Sequence, residues 1–222
     1  MQRPPRPAPA TPPPTHPPPR GRYVDALAAR ASLNHSAFCR QALVGGYYEL
    51  LDRATLHPNP DFWAALLFRQ LMGATVLRAQ VGGGGGGGGA RMLRVWAQCQ
   101  PPGVVTLLFI NLSNETAFEV AVDDLGLPGA ASAPRFDYEL SAAGSDALAA
   151  RSVSLNGVTL QPGPQGEIPY LSQHALPGKG ASVVVRAHTL RFVVFEGVAA
   201  RPCFRPPLRE ASALVERSRS AE

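Results

Sequence analysis

The stretch AFCRQALVGGYYELLDRATLHPNPDFWAALLFRQLMGATVLRAQV, from residue 37 to residue 81, decides how the fold of this chain is read. Its first part, residues 37–44, is a short, mostly apolar run that breaks at Gly45 and Gly46 into an aromatic loop. A short apolar run closed by a glycine turn is typical of a buried strand. We therefore predict a strand over 37–44 and a loop over 45–52.

A helix is predicted to start after this loop, at Asn59, Pro60 and Asp61. Asparagine can cap the helix with its side chain, proline has a φ that is already helical, and aspartate suits the positive end of the helix dipole. Apolar residues then recur at helical spacing, and Gly73 supplies a left-handed stop. Strand, loop and helix make one βα unit of a barrel or a doubly wound sheet.

The pattern beyond Gly73 changes from helical to alternating. Residues 75–81 and 92–99 are predicted strands joined by eight consecutive glycines, 82–89. Further strand signals lie at 104–112, 118–122, 135–140, in a hairpin around Asn156 and Gly157, and at 182–195, which suits one bent strand or a pair. Seven or eight short strands with turns between them favour an antiparallel β-sandwich.

Composition and charge exclude several classes of function. The formal charge of +5 comes from the two ends: residues 1–22 hold four arginines and no acid, and residues 201–222 hold five arginines against three glutamates. No basic helix or zinc spacing accompanies that charge, so we expect no nucleic-acid partner. The histidines are scattered and no nucleotide-binding loop is present, so we expect no metal and no cofactor. No apolar run reaches the roughly 20 residues of a membrane span.

The stretches CRQALVGGYYELLD and HPNPDFWAALLFRQLMGATVL closely resemble the end of the catalytic barrel in the heparanase-like proteins of glycoside hydrolase family 79, especially its plant branch. The resemblance continues through RMLRVWAQC, VTLLFINLSNET, RSVSLNG and VVFEGVAARPC. It covers roughly residues 22 to 203. Each motif alone is weak, but the combination is specific.

The resemblance implies a mainly β chain in which a C-terminal antiparallel β-sandwich follows the last βα unit of an incomplete (β/α)8 barrel. We predict a proline-rich disordered leader over 1–22, the barrel remnant over 23–73, the sandwich over 74–203 with a flexible 82–89 loop, and a disordered tail over 204–222. A barrel cannot close with one strand, so the remnant is expected to dock on the sandwich loosely, or on the missing barrel portion.

The chemistry of such a hydrolase needs two carboxyl groups about 5 to 5.5 Å apart for a retaining mechanism. In the family these are two glutamates that precede the part this chain resembles, so we predict no catalytic residue in the chain. Glu49 and Asp52 lie on the loop expected to face the substrate, but nothing nearby would separate their pKa values into an acid and a base. A solvated loop face is their expected role.

The resemblance places two site residues in the same loop. Gly46 and Tyr48 match a glycine and a tyrosine that touch the sugar in heparanases, whereas Tyr47 replaces the usual asparagine. The alternative is a Gly-Gly turn with packing tyrosines, and the sequence does not separate the two.

Cysteines and glycosylation sequences follow the same family pattern. Cys99 and Cys203 fall where heparanases carry the disulfide that closes the sandwich. The alternative is that they are two unrelated thiols. Cys39 is then expected to be a buried free thiol. Asn111 and Asn114 both stand in N-x-Ser/Thr sequences at a predicted strand end, and Asn114 is the better acceptor because it lies in the turn.

The functional expectation is therefore the C-terminal part of an endo-β-glucuronidase whose partner is a glucuronic-acid-containing glycan. The alternative is a non-catalytic sandwich module for glycan binding or for folding and secretion, or a truncated product without activity. Family resemblance implies an extracellular, cell-wall, lysosomal or vacuolar, membrane-associated location. The leader holds ten prolines in its first 19 residues and lacks the apolar core of a signal peptide.

Overall fold

A computed structural model describes residues 21–46, 48–82, 92–122, 129–143, 150–178 and 182–204. The described chain is mostly β, with two helices, α1 (Arg22–Ser32) and α2 (Pro60–Leu71). Residues 1–20 of the predicted leader, 205–222 of the predicted tail and 83–89 of the glycine loop lie outside the described residues, whereas Arg22, the last residue of the predicted leader, begins α1.

Ten strands follow in chain order: β1 (Thr75–Leu77), β2 (Leu93–Gln100), β3 (Val104–Asn111), β4 (Phe118–Ala121), β5 (Arg135–Ala142), β6 (Val153–Leu155), β7 (Val158–Thr159), β8 (Leu176–Pro177), β9 (Ser182–Val185) and β10 (Leu190–Phe195). Short 3₁₀ turns span Ala130–Ser132, Leu171–His174 and Arg201–Phe204. The predicted β1–β2 pairing is confirmed, with Thr75 opposite Cys99. The predicted hairpin is confirmed too, and Asn156 and Gly157 have φ of 50° and 86°, as its tight turn requires.

Eight strands form one antiparallel sheet in the order β1-β2-β3-β10-β5-β6-β7, with β8 pairing on β5. A two-stranded sheet, β4 with β9, covers one face of it. Residues 182–195 thus form two strands, which pair with different sheets and not with each other. Among the described residues the second layer of the predicted sandwich is therefore small, and the helices supply a third layer.

Alternation along the central strands sends their side chains to two separate cores. On β10, Phe192 and Val194 face the helices, whereas Val193 and Phe195 face the small sheet. β3 is buried along almost its whole length because both of its faces are covered. The disulfide between Cys99 and Cys203, predicted from the resemblance, is present on the small-sheet side.

Both helices pack against the large sheet. Trp63 and Leu67 of α2 are 2% and 0% exposed and lie in one cluster with β3, β5 and β10. The hydroxyl of Thr106 donates a hydrogen bond of 2.7 Å to the carbonyl of Leu71, so the end of α2 is tied to β3. The expectation of loose docking was therefore wrong, because the apolar face of α2 finds its partner in the sheet.

Three local predictions in the opening stretch were also wrong. Residues 37–44 form no strand: only an isolated bridge joins Val44 to Leu51, because the described residues offer no neighbouring strand to pair with. Cys39 is consequently exposed and not buried. The side chain of Asn59 does not cap α2 but donates to the carbonyl of Glu49.

Gly73 has a different role from the predicted left-handed stop. Its φ is not among the positive values, and α2 ends at Leu71 with Met72 already extended. A Cβ atom on Gly73 would lie 2.0 Å from the carbonyl oxygen of Cys99. Glycine is therefore required because the chain passes close to the backbone of β2.

Candidate functional site

The candidate site is a cleft of about 300 Å³, which lies where the start of α1, residues 38–41, Tyr48 and Asp61 meet. We call it the Arg40 cleft. Its walls carry both aromatic rings and charged groups. A mixed lining of this kind suits a polar ligand that has an apolar face.

Arg40 joins three separate segments around this cleft. Its Nη1 lies 2.8 Å from Oδ2 of Asp61 at the start of α2. Its Nε donates a hydrogen bond of 2.8 Å to the carbonyl of Tyr48, and its guanidinium lies 4.5 Å from the ring centroid of Tyr23 on α1. The side chain is only 13% exposed, so these contacts hold the loop and both helices in place.

Asp61 is the negative partner at the centre of this arrangement. Burial raises the pKa of its carboxyl above 3.8, while Arg40 and the backbone N–H of Gly21 act in the opposite direction. Gly21 precedes α1 and Asp61 lies in the first turn of α2, so the positive ends of both helices converge on this carboxylate. Burial also raises the pKa of Tyr23 above 10.0, against the effect of Arg40.

The structure places the two sequence-predicted site residues differently. Tyr48 lines the Arg40 cleft and is 52% exposed. Gly46 lies two residues away in a turn with a φ of 93°, and its carbonyl accepts a hydrogen bond of 3.2 Å from Arg53. Only Tyr48 is therefore part of the cleft wall.

Glu49 and Asp52, the two acids of this loop, hold the loop together. Oε2 of Glu49 accepts a hydrogen bond of 2.7 Å from the backbone N–H of Gly45. Oδ1 of Asp52 accepts hydrogen bonds from the backbone N–H groups of Ala54 and Thr55 and from the Thr55 hydroxyl. These bonds lower the pKa of Asp52 below 3.8, which suits a fixed anion and not a proton donor.

A second group of charges lies between the large sheet and β9, on the face of β5 opposite to Tyr138. Asp137 and Glu139 are 4% and 3% exposed. Arg191 of β10 contacts both, at 2.8 and 3.0 Å, and Arg186 contacts Glu139. Two neighbouring carboxylates paired in this way fix the sheets in register, and we assign them a structural role.

The sequence contains a signal for the Arg40 cleft that the predictions above do not use. An arginine inside an otherwise apolar run needs a partner once it is buried, and Asp61 was read only as a helix-end charge.

The described residues contain no cluster of three or more His, Cys, Asp or Glu side chains that could hold a metal ion. Within the same described ranges, no helix is long and apolar enough to cross a membrane.

The chain is similar to several known proteins. It is 34% identical over 209 residues to Heparanase-like protein 1 of Arabidopsis thaliana, and this alignment covers 82% of this chain and 37% of that protein. Baicalin-beta-D-glucuronidase of Scutellaria baicalensis is 34% identical over 68% of this chain and 27% of its own length. Heparanase of Gallus gallus is 33% identical over 82% of this chain and 34% of its own length. The chain thus spans about a third of the length of these curated relatives.

No family model matches the chain. Among solved structures, the GH51 arabinofuranosidase from Xanthomonas axonopodis pv. citri aligns with 55% of this chain and 21% of its own, at 18% identity and a TM-score of 0.28. Two of these curated relatives are named heparanase or heparanase-like, and one is named a glucuronidase. The chain belongs to the heparanase-like proteins of glycoside hydrolase family 79.

Proposed function

We propose that this chain is the C-terminal part of a retaining, heparanase-like endo-β-glucuronidase that acts on glycans containing glucuronic acid. The observation that carries the proposal is its similarity to heparanases and to a β-D-glucuronidase over 68% to 82% of its length. Both catalytic glutamates are assigned to sequence outside this chain, as the family resemblance implies. The two acids of the candidate loop, Glu49 and Asp52, are engaged in the turn that they stabilise.

In this proposal Tyr48 contributes a sugar contact from the wall of the Arg40 cleft, and Gly46 shapes the turn beside it. The half-exposed ring of Tyr48 offers both an apolar face and a hydroxyl, the combination that sugars require. Arg40 supports the contact indirectly because it holds the Tyr48 backbone.

The same proposal includes a surface that docks on the catalytic barrel portion. Large apolar side chains stay exposed on the segment that forms no strand and on the loop after it; they are Phe38, Leu43, Val44 and Leu56. An exposed apolar group of this size marks an interaction surface. We also propose an extracellular or lysosomal location, which suits the Cys99–Cys203 disulfide.

The test of the site is a chimera in which residues 21–204 replace the matching part of Heparanase-like protein 1. We expect the chimera to hydrolyse a glucuronide, and Tyr48→Ala to lower its kcat/KM by about 10- to 100-fold through loss of a sugar contact. The matched control is Tyr170→Ala, because Tyr170 is 83% exposed and does not line the cleft. Equal activity of the two variants would contradict the role of Tyr48.

A second function is favoured by one observation. The described residues bury a core on each side of the large sheet, as a self-standing module requires. The second candidate function is therefore that of a non-catalytic module that binds glycans. Calorimetric binding of a glucuronic-acid oligosaccharide to the isolated chain, without hydrolysis and lost in Tyr48→Ala, would favour the module.

A further inference from the structure

Asn34, Asn111 and Asn114 are the three asparagines of the chain that stand in N-x-Ser/Thr sequences. A glycan acceptor must expose its side-chain amide and leave room for a bulky, hydrated sugar. Asn34 lies just ahead of residues 37–44, for which the sequence predicts a strand. The three sites differ sharply in the structure.

Asn111 fails both requirements. It is 3% exposed, and its Nδ2 donates hydrogen bonds to the carbonyls of Thr116, Val185 and Arg186 at 2.8, 3.0 and 3.0 Å. Its Oδ1 accepts a bond of 2.9 Å from the backbone N–H of Ser113. A sugar on Nδ2 would break these bonds between the end of β3 and the end of β9. Asn111 is therefore a structural residue.

Asn34 meets both requirements. It lies in the turn that closes α1, with a φ of 61°, and the backbone N–H of His35 donates to the carbonyl of Arg30 at 3.0 Å. Every residue from 32 to 39 is exposed, since the predicted strand does not form. No hydrogen bond of the described residues engages the Asn34 side chain. Asn114 is exposed as well, in the turn after β3.

We propose that Asn34 is an N-glycosylation acceptor of this chain, with Asn114 as a second acceptor and Asn111 excluded by the fold. The inference rests on the proposed secretory location. The donor is a lipid-linked diphospho-oligosaccharide: a bond forms between its anomeric carbon and Nδ2, the bond to the diphosphate oxygen breaks, and the amide releases one proton. The lipid diphosphate is the leaving group.

A glycan at Asn34 also limits where a partner can dock. The neighbouring Leu33 is 67% exposed, and a glycan beside it would keep that side chain out of a protein interface. The docking surface proposed above is thereby confined to the Leu43, Val44 and Leu56 end of the segment. The turn after α1 then faces solvent in the complete enzyme.

The test uses the full chain, with a secretory signal added, produced in a glycosylating eukaryotic cell. Enzymatic deglycosylation in ¹⁸O-labelled water marks each former acceptor, and peptide mass spectrometry reads the label. We expect label at Asn34 and Asn114 and none at Asn111. Ser36→Ala keeps Asn34 and its turn, and should remove the Asn34 label alone; Thr116→Ala should remove the Asn114 label alone.

Unlabelled Asn34 in the wild-type product, or labelled Asn111 in folded, secreted protein, would overturn the proposal. If the chain is retained in the cell, the same peptides from microsomal translation give the Asn34 result without secretion. The location is judged separately. Because the added signal itself delivers the chain to the glycosylating compartment, the acceptor result does not depend on the native location, and failure of one proposal is distinguishable from failure of the other.

Discussion

Arg40 shows how much a single buried charge can organise. Its partners lie on α1, on α2 and on the Tyr48 loop, so one guanidinium fixes the relative positions of three segments. The network could not be predicted from the sequence, because Tyr23, Arg40 and Asp61 are brought together only by tertiary packing. What the sequence did contain was the unexpected arginine within an apolar run.

We predict that Arg40→Met lowers the free energy of unfolding by about 3 kcal/mol, because it leaves the Asp61 carboxylate buried without its cation. Urea unfolding of Arg40→Met, Asp61→Leu and the double variant measures this as a cycle. The double variant should lose less than the sum of the two single losses. Strict additivity would mean that the pair is not coupled.

Asp61 should also make stability depend on pH. Its folded pKa lies above the value of 3.8, so the folded state binds a proton that the unfolded state has already released. Its contribution to the free energy of unfolding is fully present below pH 3.8 and is lost as the pH rises through the higher folded pKa. Asp61→Asn should remove that contribution, which urea unfolding at a series of pH values measures.

Asp52→Asn is the control, because Asp52 should affect the pH dependence of the free energy of unfolding in the opposite direction. Because the pKa of Asp52 is lowered, its contribution is present above pH 3.8 and is lost as the pH falls through the folded value. The two variants should therefore change the pH slope in opposite directions. Slopes that change in the same direction would contradict the assignment of Asp61 as a buried carboxyl.

Among the secondary-structure elements, those set by local pattern were predicted well. α2 and the Asn156–Gly157 hairpin depend on spacing and turn residues within a few positions, and both are present. The strand over 37–44 failed for the opposite reason. A strand is stabilised by its neighbours, and an apolar run without a neighbouring strand stays irregular.

At the scale of secondary-structure elements, Gly73 lies where the chain leaving α2 passes close to β2. We predict that Gly73→Ala destabilises the fold by about 2 kcal/mol or more, because the new methyl group would overlap the backbone of Cys99. Gly82→Ala is the matched control, since no atom lies within 4 Å of its Cβ position. Thermal unfolding of both variants provides the measurement. Equal melting temperatures would contradict the close approach of α2 and β2.

Across the whole molecule, the two helices share one of the two cores with the large sheet. Asp25 of α1 accepts a hydrogen bond of 2.9 Å from Trp96 of β2 and forms an ion pair with Arg94. The pairing of Cys99 with Cys203 joins β2 to the 3₁₀ turn at the end of the described chain. Family resemblance supplied that pairing; residue spacing alone left it open.

The candidate site, unlike the elements set by local pattern, was predictable only through the family resemblance. Tyr48 was named because it matches a sugar-contacting residue of heparanases, and its place in the Arg40 cleft is compatible with that role. That this loop holds no catalytic pair stays a prediction; both of its acids accept hydrogen bonds from backbone donors.

Turnover of a chromogenic glucuronide by the purified chain tests the central claim most directly, because the claim assigns both reactive carboxylates to sequence outside this chain. We predict no hydrolysis above the buffer rate, both for the wild-type chain and for Glu49→Gln. Hydrolysis by the wild-type chain that disappears in Glu49→Gln would place the chemistry in this loop and contradict the account.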